Sequence, residues 1–385
     1  MALNGMDILA LALVLASAGG CVYLGLSLWA VRRLVRARAR AAVERPAVSV
    51  LKPLCGEDAD LAANLASFCR QDYPEFQIVF GVSDGNDPAI PVVRRLMAAF
   101  PAADLTLVID PKRRGRNLKV ANLHNMLPAA RHGILVLADS DMSVGPGYLD
   151  AVTAPLADRA VGIVTCLYRG VPAGGVWSRL ACLHVNHGFL PQAALAEAIG
   201  AGAGCFGATI ALRRDMLERI GGLAAIEDAL ADDYALGAAV RRQGGRIELS
   251  SHLVDNVIAE PSLTALFRHE LRWARTIRLV APRGFAGSVV TQPVMLAALA
   301  AALGALPWVT LPMLAAALAW RCVTVRALDR ILGLAPSPLH LVPARDLLSF
   351  AVFVASFFAR RVAWRDRTFR VGRGGELTLD GDSPA

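Results

Sequence analysis

Gly133-Ile-Leu-Val-Leu-Ala-Asp139-Ser140-Asp141 is an apolar run of strand length that ends on two carboxylates. A continuous apolar run of this kind suits a strand covered on both faces, as in a parallel sheet flanked by helices. Runs of the same character recur on either side of it. The expected strands are Val48–Leu54, Phe76–Ser83, Leu105–Asp110, Ile134–Ala138, Gly162–Leu167, Ala208–Leu212 and Arg246–Leu249. Helix-like segments lie between them near 58–70, 88–99, 117–130, 147–157 and 230–242. This βαβ rhythm predicts an α/β domain over 46–260 with a mainly parallel sheet. Ligands of such sheets bind at the carboxyl ends of the strands, which is where the chemistry is sought.

Two strand ends carry acids. Asp139 and Asp141, spaced i and i+2, offer hard oxygen ligands suited to Mg²⁺ or Mn²⁺ bridging substrate phosphates. The plainer alternative is an acidic turn leading into the next helix. Phe76-Gln-Ile-Val-Phe-Gly-Val-Ser-Asp84 likewise runs into Asp84-Gly-Asn-Asp-Pro88, for which a turn is the plainer reading. Ala231-Asp232-Asp233-Tyr234 enters a helix, where acids serve as dipole partners or as a poised general base. Phosphate loops of the G-x-x-x-x-G-K-[ST] and G-x-G-x-x-G kinds are missing, and Gly200-Ala-Gly-Ala-Gly204 precedes a strand rather than opening a helix.

The remainder of the chain is membrane-like. Of its 385 residues 55% are hydrophobic and 19% charged, too apolar a balance for disorder or a small disulfide scaffold. The seven cysteines form no C-x-x-C pair. Lys52, Lys112 and Lys119 are the only lysines, so the net charge of +8 rests on arginine, which suits phosphate and anionic membrane surfaces. The basic residues are scattered without interleaved aromatics, which argues against nucleic acid.

Ile8–Val31 is uncharged for 24 residues, enough to cross a bilayer, and is followed by Arg32, Arg33, Arg36, Arg38, Arg40 and Arg45. By the positive-inside rule that flank and the α/β domain are cytoplasmic. Gly284–Trp320 is uncharged for 37 residues, broken by Pro293, Pro307 and Pro312, and reads as a kinked span or a helical hairpin. Leu347–Ala359 is a short third stretch, and Arg360, Arg361, Arg365, Arg367, Arg370 and Arg373 follow it. Parity favours three crossings. The expected division is a membrane helix at 8–31, the α/β domain at 46–260, an interfacial amphipathic helix at 261–283, a membrane region at 284–361 and a cytoplasmic tail at 362–385.

Several stretches together resemble one family. They are Ser49-Val-Leu-Lys-Pro-Leu54, Gln71-Asp-Tyr-Pro74, Val82-Ser-Asp-Gly-Asn-Asp-Pro-Ala89, Asn117-Leu-Lys-Val-Ala-Asn-Leu123, Leu137-Ala-Asp-Ser-Asp141, Ala231-Asp-Asp-Tyr234 and His269-Glu-Leu-Arg-Trp273. Their order, over about 48–290, resembles the ceramide glucosyltransferase-like inverting glycosyltransferases of the GT-A fold. The bacterial, hopanoid-biosynthesis-associated branch is the nearest match. One departure is His269, where the family's motif has Gln or Arg three residues before Arg272.

The resemblance implies roles. Asp84 would sit by the nucleotide, and Lys119 and Asn122 would line the donor pocket. Asp139 and Asp141 would hold a divalent ion, Mg²⁺ or Mn²⁺, on the diphosphate. Asp233 would be the base that deprotonates the acceptor hydroxyl. Arg272 and Trp273 would close the site, with His187 in it. The implied reaction moves a sugar from a UDP-sugar, UDP-N-acetylglucosamine for this branch, to a lipid alcohol such as bacteriohopanetetrol. The implied location is the bacterial inner membrane. Ceramide with UDP-glucose is the alternative pair. A non-catalytic membrane scaffold predicts loss of the carboxylates, and a permease predicts many more spans.

Overall fold

The computed structural model describes residues 3–37, 44–56, 58–202, 204–358, 361–364, 367–371 and 377–379. Arg38 and Arg40 of the basic flank, and Arg360, Arg365 and Arg373 of the tail, lie outside the described residues. The chain divides into two compact units. One comprises Arg36–Gly174 and Ile199–Ala259; the other comprises Met1–Val35, Gly175–Ala198 and Glu260–Ala385.

The first unit is built on strands β1 (Val48–Pro53), β2 (Phe76–Val82), β3 (Asp104–Ile109), β4 (Ile134–Leu137), β5 (Met142–Ser143), β6 (Val161–Thr165), β7 (Tyr168–Pro172), β8 (Ile210–Arg213), β9 (Arg246–Leu249) and β10 (Val254–Ile258). Seven form one sheet in the order β3-β2-β1-β4-β8-β6-β9. β1, β2, β3 and β4 run parallel, β8 runs against both β4 and β6, and β6 and β9 are parallel. The fold is thus α/β, and these seven strands are the ones expected from the sequence. β1 and β4 are buried on both faces, as their near-continuous apolar runs require.

The sheet's order reverses between β1 and β4, since β2 and β3 lie to one side and later strands to the other. In open α/β sheets, ligands bind beyond the carboxyl ends of the strands at such a switch point. Asp139 lies two residues past β4, just there. A small second sheet, in the order β5-β10-β7, stands beside it and comes from strands the sequence did not signal. Gly81 permits the close approach of the helix Leu118–Met126. A Cβ at that position would meet Met126 Sδ at 2.3 Å and Asn122 Oδ1 at 2.5 Å.

The second unit is mostly helical. Helices Gly5–Arg36, Pro307–Leu332 and Leu339–Ser356 are each long and apolar enough to cross a membrane. Pro282–Thr291 and Pro293–Ala302 form a pair bent by 69°, which would make a fourth crossing if the pair is one span. The long uncharged run is therefore divided, with the break after Ala302 and a new helix from Pro307. The N-terminal helix is tied to these elements: Ser17 Oγ donates to the Pro293 carbonyl at 2.8 Å, and Trp320 Nε1 to the Cys21 carbonyl at 2.9 Å. Strands β11 (Arg361–Trp364), β12 (Arg367–Val371) and β13 (Leu377–Leu379) pair antiparallel near the C-terminus.

Residues Gly175–Ala198 belong to this helical unit and not to the α/β domain expected over 46–260. They form helices Gly175–His184 and Leu190–Ala198 joined by a π-helical turn over Val185–Phe189. Gly188 and Pro191 interrupt a 3.6-residue apolar period there.

Candidate active site

The site begins where β1 and β4 end. Lys52, in β1, is fully buried; its ammonium lies 3.8 Å from the Phe68 ring centroid and donates to the Asp139 carbonyl. Burial pulls that ammonium down to about 7, against the opposing pull of Asp141, Asp139 and Asp58. Lys52 therefore fixes the backbone of the acidic turn from below. Ser140 Oγ bonds Asp58, which holds the turn's outer edge.

Asp141 is held by the small sheet. The Asn256 side-chain amide donates to Asp141 Oδ2 at 2.7 Å, and the Val257 amide donates to the Asp141 carbonyl at 3.1 Å. Burial and the neighbouring Asp139 carboxylate raise Asp141 to about 6. A cation between the two acids would relieve that repulsion. The donor set is hard oxygen only, and among the described residues no group of three or more His, Cys, Asp or Glu is arranged to hold a metal. Two carboxylates with the remaining positions left to water and a diphosphate fit Mg²⁺ or Mn²⁺.

Lys119 and the Asp232-Asp233 pair lie around the same point. Lys119 Nζ is 2.5 Å from Asp139 Oδ1 and 3.4 Å from Asp232 Oδ2. Burial alone would lower the Lys119 pKa, but Asp139, Asp232 and Asp233 outweigh it and keep the ammonium charged. Asn117 caps this helix, accepting from the amides of Lys119 at 3.0 Å and Val120 at 3.1 Å, and so aims Lys119.

Asp233 sits in the first turn of the helix Asp232–Arg242. Its Oδ1 accepts from the Tyr234 amide at 2.7 Å and its Oδ2 from the Gly207 amide at 3.1 Å. Burial and the adjacent Asp232 raise it to about 6, while Lys119 and the two amides pull the other way. A Cβ built on Gly207 would lie 3.4 Å from both Asp139 Oδ2 and Lys119 Nζ, and 3.5 Å from Asp233 Oδ2. One small space, left by a missing side chain, is thus bounded by the acidic turn, a cation and the Asp233 carboxylate. Thr165 shapes its rim: its Oγ1 accepts from the Phe206 amide at 2.9 Å and donates to the Thr209 carbonyl at 2.8 Å.

The other expected site residues are distributed as follows. Asp84 is exposed just after β2, where its Oδ1 accepts from the Asn86 amide at 2.9 Å. Asn122 is buried and donates to the Gly81 carbonyl at 2.8 Å, tying its helix to β2. His187, Arg272 and Trp273 belong to the helical unit. His187 is 2% exposed and its Nε2 lies 2.8 Å from Asp329 Oδ1. Arg272 and Trp273 are half-buried on the helix Leu263–Val280. The Trp273 ring packs edge-on against His269 at 4.4 Å between centroids, and His269 Nδ1 is 2.7 Å from Glu260 Oε1.

Lys52, Asn256 and Gly207 were not legible as site residues. A lysine inside an apolar strand is a possible signal, since a buried cation demands a partner. Asn256 and Gly207 carried none.

A ceramide glucosyltransferase of Caenorhabditis elegans is 26% identical over 231 residues, which is 60% of this chain and 49% of that protein. An N-acetylglucosaminyltransferase of Rhizobium meliloti is 27% identical over 245 residues, 60% of this chain and 55% of that protein. The chain thus spans about half the length of these curated relatives. A mannosyltransferase from Pyrobaculum calidifontis, solved in complex with GDP-Man and Mn²⁺, superposes with a TM-score of 0.54 at 25% identity. That match covers 92% of this chain and 99% of the other, and it supports the GT-A fold. The sequence model of glycosyl transferase family 21 matches residues 12–377, so the chain belongs to that family.

Proposed function

We propose that the protein is a membrane-bound inverting hexosyltransferase that moves a sugar from a UDP-sugar to a lipid alcohol. The observation that carries the reading is the meeting of Asp139, Lys119 and Asp233 around Gly207. With a divalent ion held on the acids, it would bring a diphosphate side and a carboxylate base close together. Asp139 and Asp141 would hold Mg²⁺ or Mn²⁺, which supplies charge neutralisation on the departing diphosphate when bound.

In this reading Asp233 takes the proton of the acceptor hydroxyl as its oxygen attacks the anomeric carbon. The bond from that carbon to the diphosphate breaks, UDP leaves with the electron pair, and a single displacement inverts the centre. Two backbone amides hold the Asp233 carboxylate in place for this step, and its raised pKa suits proton acceptance near neutrality. Lys119 stabilises the diphosphate, Asp84 serves the nucleotide, and Asn122 shapes the donor side by holding its helix. Arg272 and Trp273 serve the diphosphate and the acceptor. His187, buried against Asp329, contributes to the substrate site.

UDP-N-acetylglucosamine and a hopanoid polyol such as bacteriohopanetetrol are the proposed substrates, supported by the R. meliloti relative's name and the motif resemblance. UDP-glucose with ceramide is the second reading, favoured by the C. elegans relative. The arginines after the first helix support an inner-membrane protein with its catalytic unit in the cytoplasm. The proposed division keeps 8–31 as anchor, 46–260 as the catalytic stretch apart from Gly175–Ala198, 261–283 as an interfacial helix and 284–361 as membrane region. The test is incubation of the detergent-solubilised full chain with both UDP-sugars and both lipids, with Mn²⁺, Mg²⁺ or EDTA. Glycolipid from one pairing is expected; absence of glycolipid from every pairing overturns the reading.

A further inference from the structure

The helix Leu263–Val280 turns Leu266, Glu270 and Ala274 into the protein, one per turn along a single face. Two are apolar, as a buried helix stripe should be. The third is a carboxylate only 4% exposed. Its partner is Arg345, 1% exposed, on the helix Val342–Ser356. The two meet fork to fork: Arg345 Nη1 lies 2.6 Å from Glu270 Oε1, and Nη2 lies 2.7 Å from Oε2. The same guanidinium donates from Nη1 to the Leu180 carbonyl at 3.4 Å, in the helix Gly175–His184, and from Nε to Ser349 Oγ at 3.1 Å. Three helices converge on one planar cation.

Stability does not account for this arrangement. Well-packed apolar residues in place of a buried ion pair commonly give a protein as stable or more so. A bidentate pair supplies direction instead, because its two parallel hydrogen bonds fix both angle and axial position. Apolar contacts tolerate sliding and rotation. Arg272 and Trp273 follow Glu270 by two and three residues, about 200° and 300° around the same helix. A rotation of about 20° about the helix axis would carry a ring about 7 Å from that axis by roughly 2 Å, enough to misplace a catalytic contact.

We propose that Glu270 and Arg345 are positioning residues for sugar transfer, locking the rotation and register of the helix that presents Arg272 and Trp273. The inference rests on the reading above, in which those two residues serve the reaction.

The test compares the full-length protein in detergent with E270M/R345M, which replaces the pair with flexible apolar side chains, and with E270Q, which keeps the fork's shape but leaves the arginine uncompensated. Thermal midpoint, UDP affinity with Mn²⁺, and kcat and KM for lipid glycosylation are measured for each. The double variant should hold its thermal midpoint, its UDP affinity and its KM for the UDP-sugar, and lose about tenfold or more in kcat. E270Q should show the reverse order, with a lower midpoint and kcat within about threefold of wild type. If kcat tracks the thermal midpoint across the series, if the double variant keeps wild-type kcat, or if it does not fold, the pair is structural only and the proposal fails. Arg272→Ala and Trp273→Ala are run alongside. If neither impairs transfer, the underlying reading is what fails.

Discussion

Lys119 Nζ and Asp139 Oδ1 are 2.5 Å apart, a contact that joins the helix after β3 to the turn after β4. The lysine is also 3.4 Å from Asp232 Oδ2, so it compensates acids from two sides of the site. Lys119→Met should therefore raise the KM for the UDP-sugar about tenfold or more, the loss expected for one charge-assisted hydrogen bond. Steady-state kinetics at saturating lipid decide this, and an unchanged KM would remove Lys119 from the donor side.

Asp233→Asn preserves size and an oxygen acceptor but cannot take a proton. Transfer should fall by a factor on the order of 10² to 10⁴, with UDP affinity in the presence of Mn²⁺ near wild type. Asp232→Asn is the control. If the loss follows Asp232 instead, the base is its neighbour; titration calorimetry and radiolabelled transfer measure the two quantities.

Asp141 and Asp233 are both raised from 3.8 to about 6. Activity should fall as the pH drops through about 6, because the base becomes protonated. Stability runs the other way. A carboxyl that holds its proton more tightly when folded contributes stability below its unfolded pKa, and that contribution is lost as pH rises through about 6. At pH 7.5 without metal, Asp141→Asn and Asp233→Asn should each melt higher by about 1–2 °C, the shift that ~1 kcal/mol produces in a chain of this size. Lower melting points for both would contradict the sign.

Asn256→Ala removes the amide that steadies Asp141 Oδ2. Outer-sphere partners of metal ligands commonly matter by about 10–100-fold in metal affinity, so the Mn²⁺ concentration for half-maximal activity should rise within that range. A titration of activity against Mn²⁺ checks it; an unchanged midpoint would separate Asn256 from the ion.

Trp273→Ala should impair transfer to lipid more than hydrolysis of the UDP-sugar, if its ring serves the acceptor. Equal losses would place Trp273 on the donor side. The comparison is made on one enzyme preparation with product analysis of sugar and glycolipid.

Much of this was legible because the informative residues stand at strand ends. The seven strands of the main sheet announce themselves by apolar runs, and the acids that terminate β2 and β4 are marked by contrast with those runs. β7 and β10 were hidden by composition. β10 contains Asp255 and Asn256, residues depleted in strands, and β7 contains Gly170 and Pro172. Asn256 reaches Asp141 across 115 residues of sequence, a pairing that only the register of the small sheet creates. The buried pair of Glu270 and Arg345 was equally silent, since each residue alone reads as a charge at a membrane surface.

β8 runs opposite to β4, and this reversal has a consequence for how the site can change. The sheet edge that gathers the exits of β1 and β4 receives the entrance of β8, so Gly207 sits on an incoming loop. Residues 199–202 can therefore change chemistry without shifting the pairing of Ile210 with Leu137, whereas Cys205 is packed in the core and the Phe206 amide is held by Thr165. Substrate choice in this fold can diversify along that approach road while the acids it leads to stay where they are.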